Sequence, residues 1–376
     1  GIALTGVGTV LLGCILPRLS AQWHLRDKDA GLLLLVQFAT ASSGALLVRG
    51  NLWKTLALGY GLFSAGAISI FLLQQESLPA FGVYGLGLGL AMTSNNILTG
   101  RRHPKRMGAA LAFLNFSWSA GSVACPLLAA QFLRHAPGGT AFGLVGLLAL
   151  PFVLLPLLAD RGDLNAATDS ASAPSGIKEA TTILYFALLA FLYVGIEAAV
   201  GSWMSTYTTR TTAWTFAGST LAVAVFWAAL LFGRGVTPAL LAWVAELRLY
   251  RAAVVATIAG VSLLLAARSP TTILAGSALT GLALAPLFPL ILALFLTEIG
   301  GSRNAGWVFA SAGLGGAVLS WLTGTISTST GSLRIGLLVP GVAALLMLVM
   351  ISCRRTNSGP STRQQILLEP TITGET

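Results

Sequence analysis

Read as apolar and polar positions, the chain is a series of twelve apolar stretches separated by short polar breaks. A helix needs about 20 apolar residues to cross the hydrocarbon core of a bilayer, and each stretch is near that length. Spans are expected over residues 1–22, 29–48, 54–74, 79–100, 107–132 and 139–159, and again over 180–207, 212–232, 249–267, 271–298, 304–327 and 333–353. The prolines inside them, Pro17, Pro126, Pro151, Pro156, Pro286 and Pro289, are compatible with membrane helices, where neighbours re-satisfy freed backbone groups. The pattern predicts an all-α membrane protein of twelve transmembrane helices. Residues 160–179 are polar, rich in Ser, Ala and Asp and without periodicity, and read as a linker. It would join an N-terminal six-helix domain, 1–159, to a C-terminal one, 180–353. The tail, 354–376, is polar and expected to be disordered.

Composition agrees with this pattern. Only 9% of the 376 residues are charged, against about 25% in soluble domains, and the mean hydropathy is +0.82. The net charge of +10 then reflects basic loops on one side of a membrane rather than a nucleic-acid surface. With twelve spans both termini share a side. The loops there carry Arg49 and Lys54, the Arg101, Arg102, Lys105, Arg106 cluster, Arg161, Lys178, Arg234, Arg248, Arg251, Arg303 and the arginines of the tail, whereas the other side holds seven basic residues. That excess predicts cytoplasmic termini and a multi-pass protein of the plasma (inner) membrane. The chain begins at Gly1 without a methionine, so a short preceding segment is expected. The first run lacks a basic flank and a small-residue cleavage site, and is read as a span rather than a leader. Cys14, Cys125 and Cys353 lie far apart and are expected to pack as small hydrophobes. The three histidines fall in loops or at segment ends, so no metal site and no cofactor are expected.

The seventh stretch holds Glu197, the one carboxylate placed deep inside an apolar segment. A carboxylate there costs several kcal/mol unless paired, hydrated or protonated, and is by default functional. On a helix Tyr193, Glu197, Val200, Met204 and Tyr207 share one face, which is expected to look into a cavity. A Glu paired with a neighbouring helix purely for packing is the alternative.

Several stretches resemble the fucose/glucose-galactose permease branch of the major facilitator superfamily. They are Tyr193–Glu197 with Gly201-Ser202-Trp203, Leu90–Asn96, Asn115-Phe116-Ser117-Trp118 with Gly121 and Cys125-Pro126, Gly281 with Pro286-Leu287-Phe288-Pro289, and Gly233-Arg234 with Arg248. The resemblance implies the major facilitator fold, two six-helix pseudo-repeats with cargo near the midplane, and a monomer. It also implies that Asn115 faces substrate and that Asn95 lies a turn from an acidic position. Two departures stand out. The loop after the second helix, which in the superfamily reads Gly-x-x-x-Asp-Arg-x-Gly-Arg-Arg, here runs from Gly44 to Lys54 with Arg49 and no acid, which points to a weaker or rearranged gate. Ala91 stands where proton-coupled relatives have a carboxylate in the fourth helix.

Sugars present hydroxyls and flat apolar faces, so a site for them needs amides, a carboxylate and aromatic platforms. Gln37, Asn95, Asn96, Asn115, Trp118, Glu197, Tyr207 and Trp227 supply that inventory. For Gln37 and Asn115 a helix–helix hydrogen bond competes with ligand contact; for Trp227, so does lipid anchoring or packing. Arg49, Lys54, Arg234 and Arg248 are the candidate gating residues. The expected function is secondary active transport of a sugar or related polyol by alternating access, with Glu197 binding cargo or carrying H+ or Na+. The rivals are an exporter of amphipathic drugs or lipids on the same fold, and a membrane sensor that moves nothing. No nucleophile–base pair, paired carboxylates or metal set lies at membrane depth, so an enzyme is not expected.

Overall fold

The computed structural model describes residues 1–133, 136–158, 165–166, 176–299 and 305–353. Twelve helical segments of membrane length run through it. In the first half these are α1 (Ile2–Gln22), α2 (Asp27–Leu46), α3 (Leu52–Leu73), α4 (Leu78–Arg102), α5 (Met107–Phe132) and α6 (Thr140–Leu158). In the second they are α7 (Ile177–Thr211), α8 (Phe216–Leu241), α9 (Glu246–Ala266), α10 (Pro270–Ile299), α11 (Ala305–Thr330) and α12 (Leu333–Cys353). Eleven are apolar enough to cross a membrane by composition. The exception, α4, carries Ser94, Asn95 and Asn96 and packs its glycines against α2 and α3.

Local chemistry sets the breaks. Asn51 caps α3 by accepting from the backbone N–H groups of Trp53 and Lys54 at 2.9 and 3.1 Å. Ser269 caps α10, with Pro270 following at the first helical position. Within α6, α10 and α12 the helix is interrupted near Leu150, at Ala285-Pro286 and at Leu337. Pro151, Pro289 and Pro340 each lack the N–H that would continue the ladder at those points. A two-residue antiparallel pair, Gly50–Asn51 with Asn165–Ala166, ties the α2–α3 loop to the interval between the halves. The rest of the expected linker up to residue 175, and the expected tail, lie outside the described residues.

The boundary that matters for function is that of α8. The sequence predicts its end at 232 and a loop carrying Arg234; the helix continues to Leu241. The apolar run resumes after Arg234 as Val236-Thr237-Pro238-Ala239-Leu240-Leu241, and Arg234 finds a partner inside the protein. Arg248 and Arg251 likewise belong to α9 rather than to a loop. Cys14 and Cys125 are buried as expected, whereas Cys353 is exposed.

The two halves meet chiefly along three helix pairs, α2 with α11, α1 with α7 and α5 with α8, with a smaller contact of α1 with α8. At Gly13 the approach leaves no room for a side chain: a Cβ would sit 2.4 Å from the Cα of Ser202. Small residues at such crossings allow close backbone packing in lipid, where the hydrophobic effect does not drive helices together.

Candidate functional site

Two features of α7 build the site. Tyr193 and Glu197 are one turn apart, and their side chains join: the Tyr193 hydroxyl donates to Glu197 Oε2. From α8, Arg234 Nη2 lies 3.4 Å from the same carboxylate oxygen and 3.4 Å from the Tyr193 hydroxyl. Its Nη1 reaches 3.5 Å across the inter-half boundary to Ser119 Oγ on α5. Four polar side chains from three helices therefore meet where the halves face each other. The Glu197 and Arg234 side chains are 12% and 26% exposed, sheltered but not sealed. Of the states that would offset its cost, Glu197 shows pairing: the guanidinium of Arg234 on the neighbouring helix stands beside it, the arrangement that the packing alternative also requires. Pairing offsets the desolvation cost that either charge would carry alone.

One turn beyond Glu197 the lining is aromatic. Gly201 faces Trp227 of α8, whose ring atom Cζ2 would lie 3.1 Å from a Cβ at that position. Trp227 meets Trp118 of α5 edge to face, centroids 5.8 Å apart at 80°. The pair spans the two halves, and both indole Nε1 groups are buried without a hydrogen-bond partner. Gln37 on α2 donates from Nε2 to the Thr9 carbonyl at 3.2 Å, while its Oε1 is likewise unpartnered. Buried polar atoms of this kind normally find partners; these three share the condition with six others among the described residues, Thr206 and Tyr250 included.

The other expected site residues are dispersed. Asn115 is exposed, on the Trp118/Ser119 stripe one turn nearer the termini, with Nδ2 donating to the Leu111 carbonyl. Asn95 turns into the first half, donating to the Tyr60 hydroxyl at 3.1 Å beside a recess of about 260 Å³ lined by Trp53 and Phe152. Asn96 donates to the Met92 carbonyl, and Met92 touches Thr9 of α1. Tyr207 does not join the site. Its hydroxyl donates to the Leu264 carbonyl of α9 at 2.6 Å, and Met204 is in contact with Ser277 of α10, so this end of the expected cavity face is packed within the second half. Of the expected gating set, Arg234 enters the site. Arg49, Lys54 and Arg248 are exposed and form no ion pair among the described residues. Ala91 is fully buried against Gly59 of α3. No group of three His, Cys, Asp or Glu side chains able to hold a metal occurs among the described residues.

A second ionic contact, which sequence reasoning missed, closes the end away from the termini. Arg210, at the end of α7, donates two 2.7 Å bonds to the carboxylate of Asp27, the first residue of α2. Ser327 of α11 donates a third bond to Asp27, and the Thr328 hydroxyl of the same helix accepts from the Lys28 backbone N–H at 2.8 Å. The Arg18 guanidinium stacks over the Phe216 ring at 5.1 Å. All of these contacts cross between the halves. The signal available in the sequence was an acid and an arginine in short breaks on one side, which hydropathy alone does not pair.

The family model that describes the Major Facilitator Superfamily matches residues 1–297. Bypass of stop codon protein 6 of Saccharomyces cerevisiae (strain ATCC 204508 / S288c) is 22% identical over 267 residues, covering 61% of this chain and 53% of that protein. The chain therefore spans about half the length of this curated relative. Among solved structures, a D-xylose–proton symporter superposes with a TM-score of 0.72 at 14% identity, over 93% of this chain and 96% of that one. A variant of the nucleoside transporter NupG gives 0.70 at 12% identity over 93% and 98%. The transporter FucP in its outward conformation gives 0.59 at 17% identity over 93% and 97%.

Proposed function

Because this chain belongs to the Major Facilitator Superfamily, we propose that it is a secondary transporter that carries a sugar or related polyol by alternating access. The observation that carries this reading is the Tyr193–Glu197–Arg234–Ser119 network, which joins α7, α8 and α5 beside the Trp118–Trp227 pair. A polyhydroxylated ring offers donors to Glu197, acceptors to Arg234 and a face to an indole.

In this reading cargo enters from the side of the termini, since the Asp27–Arg210 contact bars the other end. Cargo or a coupling cation at Glu197 loosens its hold on Arg234 and, through Ser119, the tie between α8 and α5. The halves then rock and the distal contact opens. We place the termini in the cytoplasm of a cell bounded by this membrane, on the basis of the basic excess in the loops on that side, which survives the move of Arg234, Arg248 and Arg251 into helices. The test is counterflow of radiolabelled monosaccharides and polyols into proteoliposomes, alongside thermal stabilisation by the same panel. Sugars that neither stabilise nor exchange, where lipids or amphipathic drugs do both, would refute the sugar reading and leave the transporter.

A further inference from the structure

At the end away from the termini the second half holds a recess of about 360 Å³, bordered by Arg210 and Thr211 of α7, by Gly331 and Ser332 of the α11–α12 turn and by Arg334 in the first turn of α12. Gly331 turns the chain there with φ +68° and leaves open space on its side of the turn. Two guanidiniums thus face one small volume. Arg210 gives one bond from each Nη to Asp27. Arg334 donates from Nη2 to the Ala267 carbonyl at 2.7 Å and pairs with no carboxylate among the described residues. A guanidinium has five N–H donors, so donors remain on both. One positive charge in the recess is balanced by Asp27 and one is not, which selects an anion. A phosphate group presents oxygens on several sides and can engage both forks at once.

The residues bordering the recess all belong to the second half, whereas Asp27 belongs to the first. Separation of the halves at this end would carry Asp27 away and leave Arg210 and Arg334 both uncompensated. An anion would then bind the opened form more tightly and, by reciprocity, favour opening. We propose that this recess is a site for a phosphate-bearing ligand that competes with Asp27 for Arg210 and so loosens the contact closing this end. The coupling to opening rests on the alternating-access reading; the binding does not.

The test is calorimetric titration of inorganic phosphate into the purified protein in nanodiscs of zwitterionic lipid. The expected result is saturable binding, weakened at least about tenfold by Arg334→Gln and tightened about tenfold by Asp27→Asn. Should Arg334→Gln fail to fold, Ser332→Asp, which puts a carboxylate in the recess, makes the same test. Absence of binding, or binding indifferent to both recess variants, overturns the site. Binding that ignores Asp27→Asn overturns the competition. Nanodiscs of phosphatidylglycerol separate two sources of the ligand: if they block the titration the ligand is a lipid headgroup, and if they do not it is a soluble phosphate, either of which supports the site. The titration reads binding alone, so its failure is distinct from failure of the cargo assay.

Discussion

Arg234 Nη2 stands 3.4 Å from Glu197 Oε2, a guanidinium and a carboxylate brought together from neighbouring helices at the boundary between the halves. An isolated carboxylate in an apolar helix can titrate to escape its desolvation cost. One with a guanidinium beside it has that cost offset by pairing. In the transport cycle proposed above, cargo reaching Glu197 competes with Arg234 for its carboxylate.

Replacing Glu197 with Gln removes the charge, keeps one acceptor oxygen and introduces an NH2 donor. Glu197→Gln is expected to abolish uphill accumulation while leaving counterflow exchange within a few-fold of the natural protein. Both are read in the same proteoliposomes, with and without an ion gradient. Accumulation unchanged in this variant would show that coupling lies elsewhere.

Removing Arg234 strands Glu197. Breaking a fully buried pair costs about 3–5 kcal/mol; with the Arg234 side chain partly exposed, solvent screening reduces this to about 1–3 kcal/mol. Arg234→Gln is thus expected to lower the melting temperature, and the double variant Glu197→Gln/Arg234→Gln to recover most of the loss. Additive losses in a double-mutant cycle would mean that the two side chains are not coupled.

Much of the fold was legible because the solvent is lipid, and lipid writes itself as uninterrupted apolar length. The starts and ends of α1, α5 and α12 follow directly from it. Charge inside a helix was not legible. Arg234 reads as a stop signal along the chain, and only the position of Glu197 on the neighbouring helix explains why α8 runs through it to Leu241. Tyr207 shares a helical stripe with Glu197, yet its hydroxyl is taken up by the Leu264 carbonyl of the second half while Arg210, three residues on, meets Asp27 of the first, so periodicity alone could not say which partner each position of the stripe would find. Asp27 and Arg210 are 183 residues apart, and no local pattern links them.

The Trp118–Trp227 pair makes a distinct prediction. Edge-to-face aromatic contacts contribute about 0.5–1.5 kcal/mol beyond burial, so Trp118→Ala is expected to weaken cargo binding about three- to tenfold. Trp118→Phe should keep most of the affinity, having lost the indole N–H but not the platform. Affinity measured by ligand-induced thermal shift would check both. If Trp118→Ala binds cargo as well as the natural protein, the platform lies elsewhere.

In the alternating-access cycle proposed above, the Asp27–Arg210 contact sets the balance between the two ends. Hydrogen bonds to charged groups contribute about 1.5–3 kcal/mol each. With Arg210 46% exposed, the pair holds the distal end closed by about 1–3 kcal/mol after screening. Asp27→Ala should therefore raise the population open at that end about fivefold or more. Thr206 reports this opening: it lies one turn before Arg210 on the same face of α7, is buried, and its hydroxyl has no partner. In a background with Cys14, Cys125 and Cys353 replaced, Thr206→Cys should react slowly with a membrane-impermeant maleimide added from the side away from the termini. Adding Asp27→Ala should speed the reaction by a similar factor, whereas Arg26→Ala, which removes only the exposed pair with Asp29, should not. Equal rates in all three backgrounds would show that the distal end is held shut by packing, with the Gly13–Ser202 approach rather than the ion pair as its principal closure.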